Sequence, residues 1–345
     1  MRTAGGHALT ENLAYISSIR QIFGVPQRQG THFGGGFMRF GSIITGALLV
    51  LALNIGVAAQ ARSITIKTEA NAQVFIDGVS YGRTGEDGTL KIRKLSAETH
   101  TLKLRCDGFK EKVQRLPPTA KGEVTVPLVI TKDKAELKFQ EAGRLAQIDR
   151  EKAIAAYAEA IKLRAGFVDA YIEMARLQND NADVLAAQKT IAAVRRLRPG
   201  IAEVSAVEAR ILKDGGYPEK AIAAFKRAIA EGKGFQPEAY TGLGLLYKEK
   251  AETAGSEGDL DAEKANYDES AKYLKVALKQ LGSAPDAIVL YQLLGLVYER
   301  RHEYPQAIAL YKEFLDIFPD TPEATSVRSF IVQLEKQIAE TPKAQ

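Results

Sequence analysis

A chain of 345 residues, 46% of them apolar and 26% charged, is long enough for two or more domains with packed cores and has the composition of a folded protein. Its formal net charge is +5, and Arg2, Arg20, Arg28, Arg39 and Glu11 account for +3 of that before Ala61. The remainder is close to neutral, which excludes general attraction to nucleic acid as an organising theme.

Residues 1–37 are rich in Gly and polar residues, with the run Gly34-Gly35-Gly36 and no sustained periodicity. They read as a leader with no packed structure, either a start assigned ahead of Met38 or an extended signal region. From Met38 to Ala61 the pattern is that of a secretory signal. Met38-Arg39 is a short basic start, Ile43 to Val57 is mostly apolar, and Ala59-Gln60-Ala61 fits small-x-small cleavage. The run is shorter than the roughly 20 residues that span a bilayer. The pattern predicts a mature N-terminus at Arg62 and a protein exported to the periplasm or cell envelope, touching membrane only through an uncleaved signal.

From residue 62 to 130 the apolar period is two. Ile64, Ile66; Val74, Ile76; Leu90, Ile92; Leu102, Leu104; and Val124, Val126, Leu128 alternate, as half-buried strands do. Asp77-Gly78, Asp87-Gly88 and Asp107-Gly108 punctuate them as turns. The expectation is a small antiparallel β-sandwich of five to seven strands, with Phe75 and Phe109 in its core. The single cysteine, Cys106, has no partner for an intrachain disulfide and reads as a small buried side chain. One Asp per turn is turn chemistry and not a calcium loop. The segment Ala72 to Gly78, then Tyr81-Gly82-Arg83-Thr84, then Asp107-Gly108-Phe109, resembles the PEGA domain. It departs from that family where Glu69-Ala70-Asn71-Ala72 stands at the naming motif. The resemblance implies an accessory, extracytoplasmic interaction domain and names no ligand.

Residues 131–321 repeat. Ala153, Ala187 and Ala221 are 34 apart, as are Tyr157, Ile191 and Phe225, and Ala160, Val194 and Ala228. Small-large-small triplets at this spacing mark stacked helix pairs. The last unit carries Tyr291, Leu294, Gly295, Tyr298, Ala307, Tyr311, Phe314 and Pro319, a string that resembles the tetratricopeptide (TPR) repeat. Units run approximately 134–166, 168–200, 202–235, 237–283 and 288–321. In the fourth, about fourteen extra residues predict two helices extended beyond their neighbours to a polar tip. Over 322–345, Val327, Phe330, Ile331 and Leu334 form the apolar stripe of a capping helix before the tail. The fold class expected is therefore multidomain, a PEGA-like β-sandwich followed by an all-α TPR superhelical solenoid.

No spacing of His, Cys, Ser or acidic residues suggests a nucleophile, a metal site or a cofactor loop, so the chain reads as non-catalytic. The TPR resemblance implies that the first helices of the units line a concave groove. Arg176, Asn179, Arg210, Lys213, Thr241, Lys248, Gln292 and Arg300 fall on that face, a basic and polar set suited to an acidic or C-terminal peptide. Ala142, Arg176 and Arg210 stand where a chaperone-type carboxylate clamp needs Asn, so that clamp is not supported. Two functions are expected to compete. One is an exported adaptor that grips a protein partner through the groove and an envelope component through the sandwich. The other is a glycan- or peptidoglycan-binding module using Phe75, Tyr81 or Phe109, with the repeats as spacer.

Overall fold

The computed structural model describes residues 62–340. The leader and signal expected over 1–61 lie outside the described residues. Seven strands come first: β1 (Arg62–Lys67), β2 (Gln73–Ile76), β3 (Val79–Arg83), β4 (Thr89–Leu95), β5 (His100–Arg105), β6 (Lys112–Leu116) and β7 (Gly122–Thr125). They form two sheets, ordered β4-β1-β7 and β3-β2-β5-β6. Every pairing is antiparallel except β1 with β7, which run parallel from Ile64↔Gly122 to Lys67↔Thr125. Ile64, Ile66 and Ile92 from one sheet meet Val74, Ile76, Leu102 and Leu104 from the other in one buried cluster. The period-two alternation puts these residues on the facing surfaces. Asp77 and Gly78 both have positive φ, 50° and 85°. That pair of angles matches the tight two-residue turn that joins twisted antiparallel strands, here β2 to β3.

The same alternation corrects the expectation for Phe75. With Val74 and Ile76 facing in, Phe75 faces out; it is half-buried, with Lys103 Nζ 4.8 Å and the Arg105 guanidinium 5.8 Å from its ring. Phe109 is also half-buried and outside the sandwich core.

Five antiparallel helix pairs follow: α1 (Lys134–Leu145) with α2 (Arg150–Leu163), α3 (Val168–Asp180) with α4 (Val184–Leu197), α5 (Ala202–Asp214) with α6 (Pro218–Glu231), α7 (Pro237–Glu257) with α8 (Leu260–Leu281), and α9 (Ala287–Arg300) with α10 (Tyr304–Ile317). A final helix, α11 (Glu323–Glu340), buries Ala324, Val327, Ile331 and Leu334 against the last pair. Asp133, Asp149, Asp183 and Asp259 cap four helices by accepting from backbone N–H groups of the first turn. The nine triplet residues at 34-residue spacing are all buried. Close packing explains the glycines. A Cβ on Gly242 would lie 2.1 Å from the Phe225 ring, and one on Gly295 would lie 2.2 Å from the Tyr311 hydroxyl. Each aromatic thus fills a slot that only a bare backbone leaves open. Burying a ring such as Phe225 contributes about 2–3 kcal/mol. Helices α7 and α8 have 21 and 22 residues against 12–14 in the other pairs, and project beyond them to a tip at Gly258-Asp259.

The sandwich touches the helix array at two places far apart in sequence. At the near seam, the Gly108 N–H donates to Gln140 Oε1 (2.8 Å) and Gln140 Nε2 donates to the Phe109 carbonyl (2.8 Å). Arg105 donates to Glu111 Oε2 (2.5 Å), pairs with Asp169 on α3, and lies 4.8 Å over the Phe139 ring. At the far seam, Val79 joins the core of the last pairs and Tyr81 packs against both that core and the sandwich core. The Tyr81 hydroxyl donates to the Leu281 carbonyl (3.3 Å), and Ser283 Oγ donates to the Lys94 carbonyl (3.0 Å). Lys94 pairs with Glu313 (3.1 Å) and Arg93 with Asp320 (2.7 Å). The sandwich therefore bridges the first two helix pairs to the last two.

Candidate functional site: the inner face of the helix array

Side chains on α3, α5 and α7 define this face. Arg176 on α3 donates from Nη1 and Nη2 to the two carboxylate oxygens of Glu238 on α7, each at 2.7 Å, and reaches Glu203 on α5 at 3.4 Å. A side chain in the second pair meets one in the fourth only if the three first helices curve toward each other. Their shared face is therefore concave. Arg210 pairs with Asp180 (2.6 Å) and lies 3.9 Å from Asp214. Asn179 Nδ2 donates to Asp214 Oδ2 (2.6 Å), while its buried Oδ1 has no hydrogen-bond partner. Lys213 lies 3.4 Å from Asp214 and 3.7 Å from Glu249.

Arg176, Asn179, Arg210 and Lys213 are thus drawn into one surface, with carboxylates between them. Lys248 is buried and donates to Glu252 one turn on (2.6 Å). Thr241 is half-buried on α7, Gln292 is half-buried on α9 with Oε1 unpartnered, and Arg300 is exposed at the end of α9. The cations expected to make a basic groove are, at Arg176, Arg210, Lys213 and Lys248, matched by carboxylates of the protein itself.

Those carboxylates are as periodic as the arginines. Glu203 lies 34 residues after Asp169, and Glu238 lies 35 after Glu203, each in the first turn of an inner helix. Counting cations alone misses this row, although the same spacing finds it. The row carries a guanidinium from outside the array as well as from within: Arg105 of β5 on Asp169, and Arg176 on Glu203 and Glu238.

The electrostatics differ sharply among these carboxyls. Burial alone would raise Glu238, but the Arg176 charge and its hydrogen bonds outweigh that and hold its carboxyl below the ordinary value. They raise Arg176 in turn, against the opposing effect of its own burial. Glu173, one turn before Arg176, goes the other way. Burial pushes its carboxyl up, Arg176 offsets only part of that, and Glu203 adds repulsion. Asp286, just before α9, is raised by burial and then by Glu238.

Elsewhere, His100 Nδ1 lies 2.6 Å from Asp77 Oδ2, and Nε2 lies 3.0 Å from Ser96 Oγ and 3.2 Å from the Ser96 carbonyl. The ring bonds both the hydroxyl and the backbone of one turn residue, while Asp77 Oδ1 accepts the Thr101 N–H (2.7 Å). These contacts tie the β4–β5 turn to the β2–β3 turn. Cys106 is buried, with its thiol pKa raised by that burial. Of the three rings proposed for sugars, Tyr81 is engaged at the far seam and Phe75 faces Lys103 and Arg105. Among the described residues, no group of three or more His, Cys, Asp or Glu is arranged to hold a metal ion, and no helix is long and apolar enough to cross a membrane.

No model of a known protein family matches the chain, and no curated protein matches it. Solved structures similar to it include yeast Tom70, at 17% identity over 60% of this chain and 41% of that one, with a TM-score of 0.49. Others are Cut9 with Hcn1 from an APC/C hetero-tetramer, at 17% identity over 58% and 36% with a TM-score of 0.44, and YrrB, described as a TPR protein with an unusual peptide-binding site, at 18% identity over 58% and 94% with a TM-score of 0.34. The chain spans less than half the length of the first two.

Proposed function

We propose that this chain is a non-catalytic, tetratricopeptide-like scaffold of the cell envelope, which binds a protein partner on the inner face of its helix array. The observation that carries this reading is the concave row itself. Successive first helices repeat Asp169, Glu203 and Glu238, with Arg176 and Arg210 between them, at the spacing of the helix pairs. Such a row offers an extended segment equivalent contacts at regular intervals, which is what stacked helix pairs supply to a ligand. The PEGA-like sandwich attaches to an envelope component, and export follows from the signal pattern of residues 38–61.

The test places a photo-cross-linking amino acid at Thr241 on the inner face and, separately, at exposed Lys226 on α6, in full-length protein inside its own cells. The expected outcome is one protein cross-linked from position 241 and absent from position 226, in a protein fraction whose N-terminus sequences as Arg62. Equal capture from both positions removes the inner face as the binding surface. A cytoplasmic form carrying residues 1–37 removes the envelope assignment.

A further inference from the structure

Between β7 and α1 the chain makes one more antiparallel bridge, with Ile130 opposite Phe109. The Lys110 N–H donates to the Val129 carbonyl (2.7 Å), and the Thr131 N–H donates to the Gly108 carbonyl (2.8 Å). Gln140 holds the inner strand of this short ribbon through Gly108 and Phe109. Successive side chains of an extended strand point to opposite faces. Val129 and Ile130 are nevertheless 70% and 73% exposed. Neither face is covered, so two β-branched side chains stand out into solvent from a backbone that is already fixed. Leu163, half-exposed at the end of α2, joins the same corner, because its neighbour Arg164 pairs with Asp133 at the start of α1.

The cations of this corner divide into two kinds. The arginines are used internally: Arg105 with Glu111, Arg144 with Asp107 (3.1 Å), and Arg164 with Asp133 and Glu136. They take up the carboxylates. Lys110, Lys112, Lys132 and Lys134 are all exposed and have no ion pair among the described residues. Exposure alone does not produce this composition. Leu260 at the tip of the α7–α8 arm is 71% exposed, but Asp259 and Asp261 flank it.

We propose that this corner is a docking surface for an anionic lipid bilayer, with Val129 and Ile130 entering the headgroup boundary and the four lysines facing the lipid phosphates. Apolar area and unpaired lysines add at such a surface, and lysine can lay its apolar stem beside the inserted side chains. A protein partner fits less well, since protein interfaces favour aromatic residues and arginine and are depleted in lysine. Strand pairing between copies is also disfavoured, because Pro127 and Lys132 bound the exposed edge, as residues that blunt edges do. The sequence pattern assigned membrane contact to an uncleaved signal alone; the corner is a second contact, separate from it. This goes beyond the scaffold reading and uses none of the inner-face residues.

The test places an environment-sensitive dye on the full chain at Ile130→Cys or, separately, at Leu260→Cys, each in a Cys106→Ala background so that the label is unique. A dye at either position reports only its own surroundings, whatever residues 1–61 do. With vesicles of equimolar phosphatidylglycerol and phosphatidylcholine, the dye at 130 should shift to the blue and be quenched by spin-labelled lipid. The dye at 260 should not respond, vesicles of phosphatidylcholine alone should give little shift at 130, and salt should reduce the response. Lys132→Glu/Lys134→Glu should lower the ratio of shifted to unshifted emission at least about tenfold. Glutamate at these positions suits the start of α1, and thermal unfolding confirms that the variant is folded. No shift at 130, an equal shift at 260, or charge reversal without effect overturns the proposal. So does poly-glutamate shifting the dye as far as the anionic vesicles, which assigns the corner to an acidic protein. A shift that grows with protein concentration in the absence of lipid also overturns it and assigns the edge to pairing between copies. Cross-linking from position 241 stands or falls independently of all these results.

Discussion

The two seams between sandwich and helix array are built from opposite materials. The near seam is polar and enclosed. Arg105 is only 15% exposed, meets two carboxylates, and lies over Phe139, while Gln140 satisfies both an N–H and a carbonyl of the β5–β6 turn. The far seam is apolar at its centre, where Val79 and Tyr81 enter the helical core, and ionic only at its rim. Arg93 and Asp320 there are 47% and 76% exposed. Enclosed ion pairs are costly to break one-sidedly, whereas exposed pairs contribute little. The near seam therefore depends on single polar groups and the far seam on buried area.

The sharpest way to break this contrast is Arg105→Ala. It strands Asp169 and Glu111 and uncovers Phe139, and the expected loss is about 3 kcal/mol. Hydrogen exchange should rise across 105–111 and 133–140 while the far seam stays protected. A uniform rise at both seams would show that they open together.

A smaller effect of opposite sign is expected at Glu173, beside the near seam. Its folded pKa is raised, so the folded state binds the proton more tightly than the unfolded one. Stability from this group is full below the ordinary Glu pKa and is lost as pH rises through the folded value. Glu173→Gln lacks that loss and should gain on the order of 1 kcal/mol at neutral pH over the wild type. Thermal midpoints measured across acid to neutral pH should diverge in its favour as pH rises. Glu238, held low by Arg176, behaves conversely: its contribution is present above the ordinary Glu pKa and fades as pH falls through the folded value.

The smallest effect belongs to Arg93→Ala at the far rim, expected to change stability by less than about 1 kcal/mol. A midpoint shift as large as that of Arg105→Ala would erase the distinction between the seams.

What could be read in the sequence was local or periodic. The triplet Ala153, Tyr157, Ala160 and its repeats reports helix pairs, because each pair packs mainly on its neighbours. Alternation through Val74, Ile76, Leu102 and Leu104 reports the sandwich for the same reason. The far seam was not legible, since Tyr81 and Leu281 are two hundred positions apart and neither carries a repeating pattern. The parallel β1–β7 pairing joins the first and last strands across the whole sandwich and leaves no turn between them to read. At the candidate site the arginines were legible and their consequence was not. Arg176 looks like a free cation until Glu238 is seen two pairs away.

One consequence of the sandwich reaching both seams concerns how the array comes apart. A stack of helix pairs that touch only their neighbours behaves as a line: its end units have one neighbour instead of two and fray first. Here the first pair is held through Gln140, and the stretch from Leu281 to Asp320 is held through Tyr81, Lys94 and Arg93, by the same small domain. A line whose ends are joined has no weakest unit. Opening any pair then strains the closure as well as its two neighbours, so the transition becomes more nearly all-or-none than the repeat architecture alone would allow.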